Sequence, residues 1–65
     1  MYFVTTNYNH ILDIKAHCNL ENYFKHKDKK IFAIKVDKSC KYIEGVLKEN
    51  LQESINEGDY IEKSN

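Results

Sequence analysis

The stretch His10–Lys27, HILDIKAHCNLENYFKHK, decides the fold, because it can be read in two ways. Leu12, Ala16, Leu20 and Phe24 recur every four residues, and Tyr23 joins their face. That spacing predicts one amphipathic helix over about 9–27. Ile11, Ile14 and Cys18 then fall on the other side, so the helix would be apolar on two faces and would need two burial partners. In the competing reading, residues 10–16 alternate as a strand with Leu12, Ile14 and Ala16 inward. Asn19 then caps a short helix carrying Leu20, Tyr23 and Phe24. The unbroken four-residue series, with no Gly or Pro inside it, favours the single helix.

The flanking segments are simpler. Tyr2-Phe3-Val4-Thr5-Thr6 is aromatic and β-branched and reads as a short strand. Asn7-Tyr8-Asn9 is turn chemistry, and either Asn could cap the helix that follows. Asp28-Lys29-Lys30 forms a loop. Ile31–Val36 is the clearest strand, with Phe32, Ile34 and Val36 on one face and Ala33 and Lys35 on the other.

Beyond that strand, Asp37 and Ser39 are both N-cap types. From Cys40 the period becomes helical, with Cys40, Ile43, Leu47, Leu51, Ser54 and Ile55 on one face and Val46 at its margin. Glu44 and Lys48 are oriented for an i,i+4 pair. Gly58 fits a helix stop, while Gly45 inside the helix would cost about 1 kcal/mol relative to Ala. An alternative makes 41–46 a strand hairpinned to 31–36. Residues 59–65 read as a frayed tail, with Tyr60 and Ile61 able to tuck back.

The expected fold is therefore a small α+β domain over residues 1–58, a two-layer β-α-β-α arrangement, with ββαβα as the split alternative. Two strands joined through a helix are naturally parallel. Two strands make a poor sheet with two open edges, so a homodimer that completes the sheet is expected.

Sixty-five residues permit one domain with a marginal core. An apolar fraction of 42% and a charged fraction of 31% suit a folded chain rather than a disordered one. No apolar h-region follows Met1, and no run approaches the roughly 18 apolar residues of a membrane span. A reducing cytoplasm is the expected location, with Cys18 and Cys40 as free, buried thiols. All ten basic residues are lysine, and Asn, Ile and Tyr are frequent, which points to AT-rich coding in a low-GC bacterium, its plasmid or its phage.

The pattern of reactive residues specifies no reaction. His10, His17, Cys18, His26 and Cys40 match no metal-ligand spacing. A Cys–His pair is formally available, but any chain of this composition offers as much, and two glycines make no phosphate loop. No catalytic residue, metal or cofactor is expected.

Charge is the feature left. Residues 25–41 carry a balance of +5 and residues 42–65 a balance of −4, while the whole chain is neutral. Two docking surfaces follow. One is the basic set Lys25, Lys27, Lys29 and Lys30. The other is an acidic i,i+4 stripe of Glu49, Glu53 and Glu57. The expected function is non-enzymatic binding of another protein, as a phage or mobile-element accessory that inhibits a host enzyme or defence component by stoichiometric occlusion. The alternative is a nucleic-acid-binding regulator using residues 25–41, with Tyr23, Phe24 or Phe32 as stacking groups. The absence of arginine and the zero net charge weigh against it.

Overall fold

Asn19 settles the reading of the central stretch. It takes the left-handed conformation, φ 54° and ψ 50°, and the helix ends there. The computed structural model describes residues 1–37 and 39–64. Lys38 and Asn65, counted above with the basic segment and the tail, lie outside the described residues, as does the side chain of Val46. The elements are β1 (Tyr2–Thr5), α1 (Tyr8–Cys18), β2 (Asn22–His26), β3 (Phe32–Lys35), β4 (Leu51–Gln52) and β5 (Tyr60–Ser64), with 3-10 turns at Gly45–Asn50 and Glu57–Asp59. The molecule belongs to the mixed α+β class.

α1 begins where Asn7 caps it, its side chain accepting the Asn9 N–H. It ends as the N–H groups of Asn19 and Leu20 both turn back to the Lys15 carbonyl, a left-handed stop that Asn tolerates. The buried face is Ile11, Ile14 and Lys15, with Cys18 half-buried one turn on. The face expected from the four-residue series is thus the wrong one: Leu12 is 42% exposed and Ala16 lies in solvent. The series also runs past the end of the helix. Leu20 lies beyond Asn19, and Tyr23 and Phe24 belong to β2.

That additional strand changes the topology. The five strands form one sheet in the order β4-β1-β3-β2-β5. Every neighbouring pair is antiparallel. β1 and the 31–36 segment, expected to be parallel, are antiparallel neighbours with Phe3 opposite Ile34, because β2 reverses the chain before β3 begins. β1 and β2 point the same way with β3 inserted between them, a split β-α-β unit.

The helix expected from Cys40 to Gly58 does not form. Gly45 adopts φ +59°, which a right-handed helix cannot accommodate. Ile43 still points into the core and Cys40, Leu47 and Leu51 pack against it, but they do so from turns, a 3-10 segment and β4. The apolar spacing was real; the helical period inferred from it was not. Asp37 and Ser39 form a turn rather than a helix cap, with the Ser39 N–H on Asp37 Oδ1 at 3.0 Å, and this bond holds the exposed Asp37 carboxyl below its usual range. The segment read as a frayed tail is β5, paired along β2 from Asn22–Ser64 to His26–Tyr60.

Two crossovers close the layers. The described residues of the segment between β3 and β4, 36–37 and 39–50, lie on the α1 side. There Val36 and Ile43 join Phe3, Ile11, Ile14 and Ile34 in the core. Cys18 and Cys40 tie this crossover to the end of α1 as a disulfide, with Cα atoms 5.7 Å apart, and Tyr42 stacks on His17 at 4.1 Å. The expectation of two free thiols is therefore corrected: the topology brings the ends of α1 and of the β3–β4 crossover together, which spacing in sequence could not reveal. Residues 53–59 cross the opposite face, from the β4 edge to the β5 edge. Alternation from Phe3 puts Tyr2 on that face, where its ring meets Phe24 at 6.0 Å and its hydroxyl donates to Glu57 at 3.2 Å. Burial first, then the Glu57 carboxylate, raises the Tyr2 pKa above its ordinary value. No helix among the described residues is long and apolar enough to cross a membrane.

Candidate docking surface

α1 packs over β1 and β3, so the half of the sheet formed by β2 and β5 is less covered on that side. Alternation places Tyr23, Lys25, Ile61 and Lys63 there. Above them, α1 contributes Tyr8, Leu12 and Lys15, one ridge at i, i+4 and i+7. The Tyr8 ring lies 5.5 Å from Tyr23 and 5.2 Å from Phe32. The pKa of Tyr23 is raised, first by its hydrogen bond with Tyr8 and then by burial. The exposed large apolar residues of the described chain are Tyr8, Leu12 and Ile61, and all three border this region.

Two cations are drawn onto these rings. Lys25 Nζ sits 6.0 Å from the centre of Phe32 and donates to the His26 carbonyl at 3.4 Å. Lys15 Nζ lies 5.4 Å from the centre of Tyr23. Lys15 is only 6% exposed, and its ammonium has no hydrogen-bond partner among the described residues. A buried unpartnered ammonium costs several kcal/mol at its upper range, whereas one cation–π contact returns about 0.5–2 kcal/mol. Lys15→Met keeps the length and the apolar stem while removing the charge. It is expected to stabilise the chain by about 1 kcal/mol, raising Tm by about 4–8 °C. Thermal melts of the two proteins side by side test this, and a lower Tm for the variant would mean that the ring contact outweighs desolvation.

The sequence-derived basic set is brought together. Lys25 is the penultimate residue of β2, and Lys27, Lys29 and Lys30 are exposed in the β2–β3 hairpin. The hairpin is held by the His26 N–H on the Ile31 carbonyl and by the Asp28 N–H on His26 Nδ1. Its base is anchored to the start of β5, where the Lys27 N–H donates to the Asp59 carbonyl at 2.9 Å and His26 meets Tyr60 edge-on. Asp28 and Asp59 temper the local charge.

The acidic set does not form the expected stripe. Glu49 lies in the 3-10 turn, Glu53 follows β4, and Glu57 opens the second 3-10 turn on the face opposite α1. Without a helix over 40–58, i,i+4 spacing puts nothing on a common face. Tyr8, Leu12 and Ile61 are surface residues that the sequence reading missed. For Tyr8 and Leu12 the signal was the helical phase of residues 8–18, and the phase chosen was that of Leu12; Ile61 was read as part of a tail and carried no such signal.

The reactive side chains are used structurally. Thr5 Oγ1 and His10 Nδ1 share a hydrogen bond of 3.0 Å while Oγ1 accepts the Asn7 N–H, closing the turn between β1 and α1. His17 Nδ1 lies 2.8 Å from the Asp13 carbonyl. Among the described residues, no three His, Cys, Asp or Glu side chains group as metal ligands would. No protein-family model matches the chain, and no curated protein or solved structure matches it either.

Proposed function

We propose that the chain is a non-catalytic protein-binding module that acts by stoichiometric occlusion of a partner's surface. The observation that carries the reading is that Lys25, at the base of the lysine hairpin, and Tyr8 meet on the Phe32 ring, with Leu12 exposed one turn further along α1. Exposed lysines steer an acidic partner into register. The aromatic and aliphatic residues beside them supply the apolar contact that such an interface needs at its centre. Leu12 favours a protein over a nucleic acid, because a leucine offers a base neither a stacking plane nor a hydrogen bond. Zero net charge and the absence of arginine point the same way.

The setting we propose is the one composition suggests, a phage or mobile-element accessory that inhibits a host enzyme or defence component. The Cys18–Cys40 bond bears on where it works. Oxidising compartments preserve such a bond and the cytoplasm opens it, which favours an oxidising site of action over the reducing cytoplasm expected from the sequence.

The reading is tested by affinity capture from a low-GC bacterial extract on two columns, one bearing the wild-type chain and one the triple variant Lys27→Glu, Lys29→Glu, Lys30→Glu. A partner retained at one-to-one stoichiometry by the first column and lost from the second is the expected result. Retention that nuclease abolishes would transfer the surface to nucleic acid. Retention by neither column, or equally by both, would overturn the reading.

A further inference from the structure

We infer that the open edge of β5 is a homodimer interface with one specific register, in which Ile61 meets Ile61 of a second copy across a two-fold axis. This goes beyond the lysine-hairpin surface and does not depend on it.

β5 ends the sheet, with β2 on one side and, among the described residues, no strand on the other. Its ladder phase follows from a single bond. The Lys27 N–H donates to the Asp59 carbonyl, and the pairing Lys25–Ile61 continues the same register. The odd-numbered residues of β5 therefore bond β2, and Tyr60, Glu62 and Ser64 turn their N–H and C=O groups outward. An unpaired edge of this kind is a template for another strand.

The side chains select which strand. Two-fold antiparallel pairing of β5 with itself can be centred on residue 60, 61, 62 or 63. A centre at Glu62 sets two carboxylates opposite each other, and a centre at Lys63 sets two ammonium groups opposite each other. A centre at Tyr60 puts Asp59 against Ile61. Only the centre at Ile61 is self-complementary. It packs the 47%-exposed Ile61 on its own mate, pairs Asp59 of each copy with Lys63 of the other, and lets Tyr60 and Glu62 exchange backbone hydrogen bonds. Ile61 then sits at a non-hydrogen-bonded site, where facing side chains approach most closely. Opposite charges directly across such a pair stabilise it and like charges oppose it. The two sheets become one continuous ten-stranded sheet. A homodimer expected because two strands were too few thus stands on a different ground: five strands satisfy one chain, and the edge they leave open matches itself.

Sedimentation equilibrium of the full chain, from micromolar to near-millimolar concentration, tests the proposal. Wild type is expected to show a concentration-dependent dimer. Lys63→Glu alone and Asp59→Lys alone are each expected to weaken it about tenfold or more, because each sets like charges across both symmetric pairs. The double variant Asp59→Lys, Lys63→Glu is expected to recover it. In addition, Ile61→Cys is expected to form an intermolecular disulfide on mild oxidation, with circular dichroism confirming that each variant is folded. A monomer at all concentrations would overturn the proposal. So would a dimer indifferent to both single reversals, or one that the double variant fails to restore.

Discussion

Phe3→Ala is expected to remove most of the folding free energy, about 3–5 kcal/mol. Phe3 is fully buried and is one of the largest such side chains in the chain, with Ile11, Ile14 and Ile34 as the other members of that group. It faces Ile34 across the β1–β3 ladder and packs in the cluster that α1 and the 36–50 crossover cover. No neighbouring element can collapse into the space it leaves without pulling α1 off the sheet, so the cavity cost adds to the lost transfer energy. A domain of 65 residues has roughly 3–10 kcal/mol of stability to lose. Urea titration by circular dichroism should find the variant mostly unfolded in the absence of denaturant, or close to its midpoint at low urea. Ile34→Val, which deletes one methyl from the same cluster, should cost only about 0.5–1.5 kcal/mol. Comparable losses for the two variants, or a Phe3→Ala loss below about 1.5 kcal/mol, would place the centre of the core elsewhere.

The core was legible in the sequence wherever strand alternation was clean. Phe32, Ile34 and Val36 share the face that the sequence assigns them, and Ile34 and Val36 are buried. The helix was legible as a helix, but not in phase or length. Leu12, Ala16, Leu20 and Phe24 keep a four-residue spacing by coincidence, whereas Ile11, Ile14, Lys15 and Cys18 hold the i, i+3, i+4, i+7 face that is inside. A buried lysine disguised that face, since a charge at Lys15 argues for solvent in any hydropathy reading. The stop at Asn19 was also hidden, because a left-handed Asn carries none of the certainty of a Gly at the same place. From Cys40 to Leu51 the apolar positions were right and their period was wrong, while Ser54 and Ile55, assigned to the same face, lie in the 53–59 crossing of the opposite side. A 3-10 turn followed by a short strand can put residues three to five apart on one side as readily as an α-helix does.

The candidate surface was half legible. The basic cluster survives because its lysines are adjacent in sequence, so the β2–β3 hairpin keeps them together whatever the fold. The acidic stripe disappears because it depended on a helix. Contacts made by distant segments had no local signal at all. Tyr2 with Glu57 spans 55 residues, and Asn22 with Glu62 spans 40. The disulfide belongs to this group, since two cysteines can form one bridge or stay free, and only the topology brings Cys18 and Cys40 within reach of each other.

Reducing the Cys18–Cys40 bond is expected to lower the unfolding free energy by about 3 kcal/mol, from the loop-closure entropy of a 22-residue separation. That is a large share of what so small a domain possesses. The bond fastens the end of α1 to a crossover that, among the described residues, has few backbone hydrogen bonds of its own. Cys40 N–H to Asp37 O, Ile43 N–H to Cys40 O and Leu47 N–H to Glu44 O are all short-range turn bonds. Once the bond opens, apolar contact, the Tyr42–His17 stack and those turn bonds alone hold Ile43 and Leu47 in place, and β4, only two residues long, has little to hold it on β1. Loss should therefore begin locally. Amide exchange over residues 39–52 should accelerate on reduction before exchange in the β2–β3–β5 half does, and the melting temperature should fall together with it. The double variant Cys18→Ser, Cys40→Ser should reproduce the same shift without reductant, which separates the cross-link from any side effect of the reagent. Two thiols that alkylate fully in the native, unreduced protein would show the bond not to exist. A melting temperature indifferent to both treatments would show that the crossover is held by its packing against α1, with the sulfurs incidental to it.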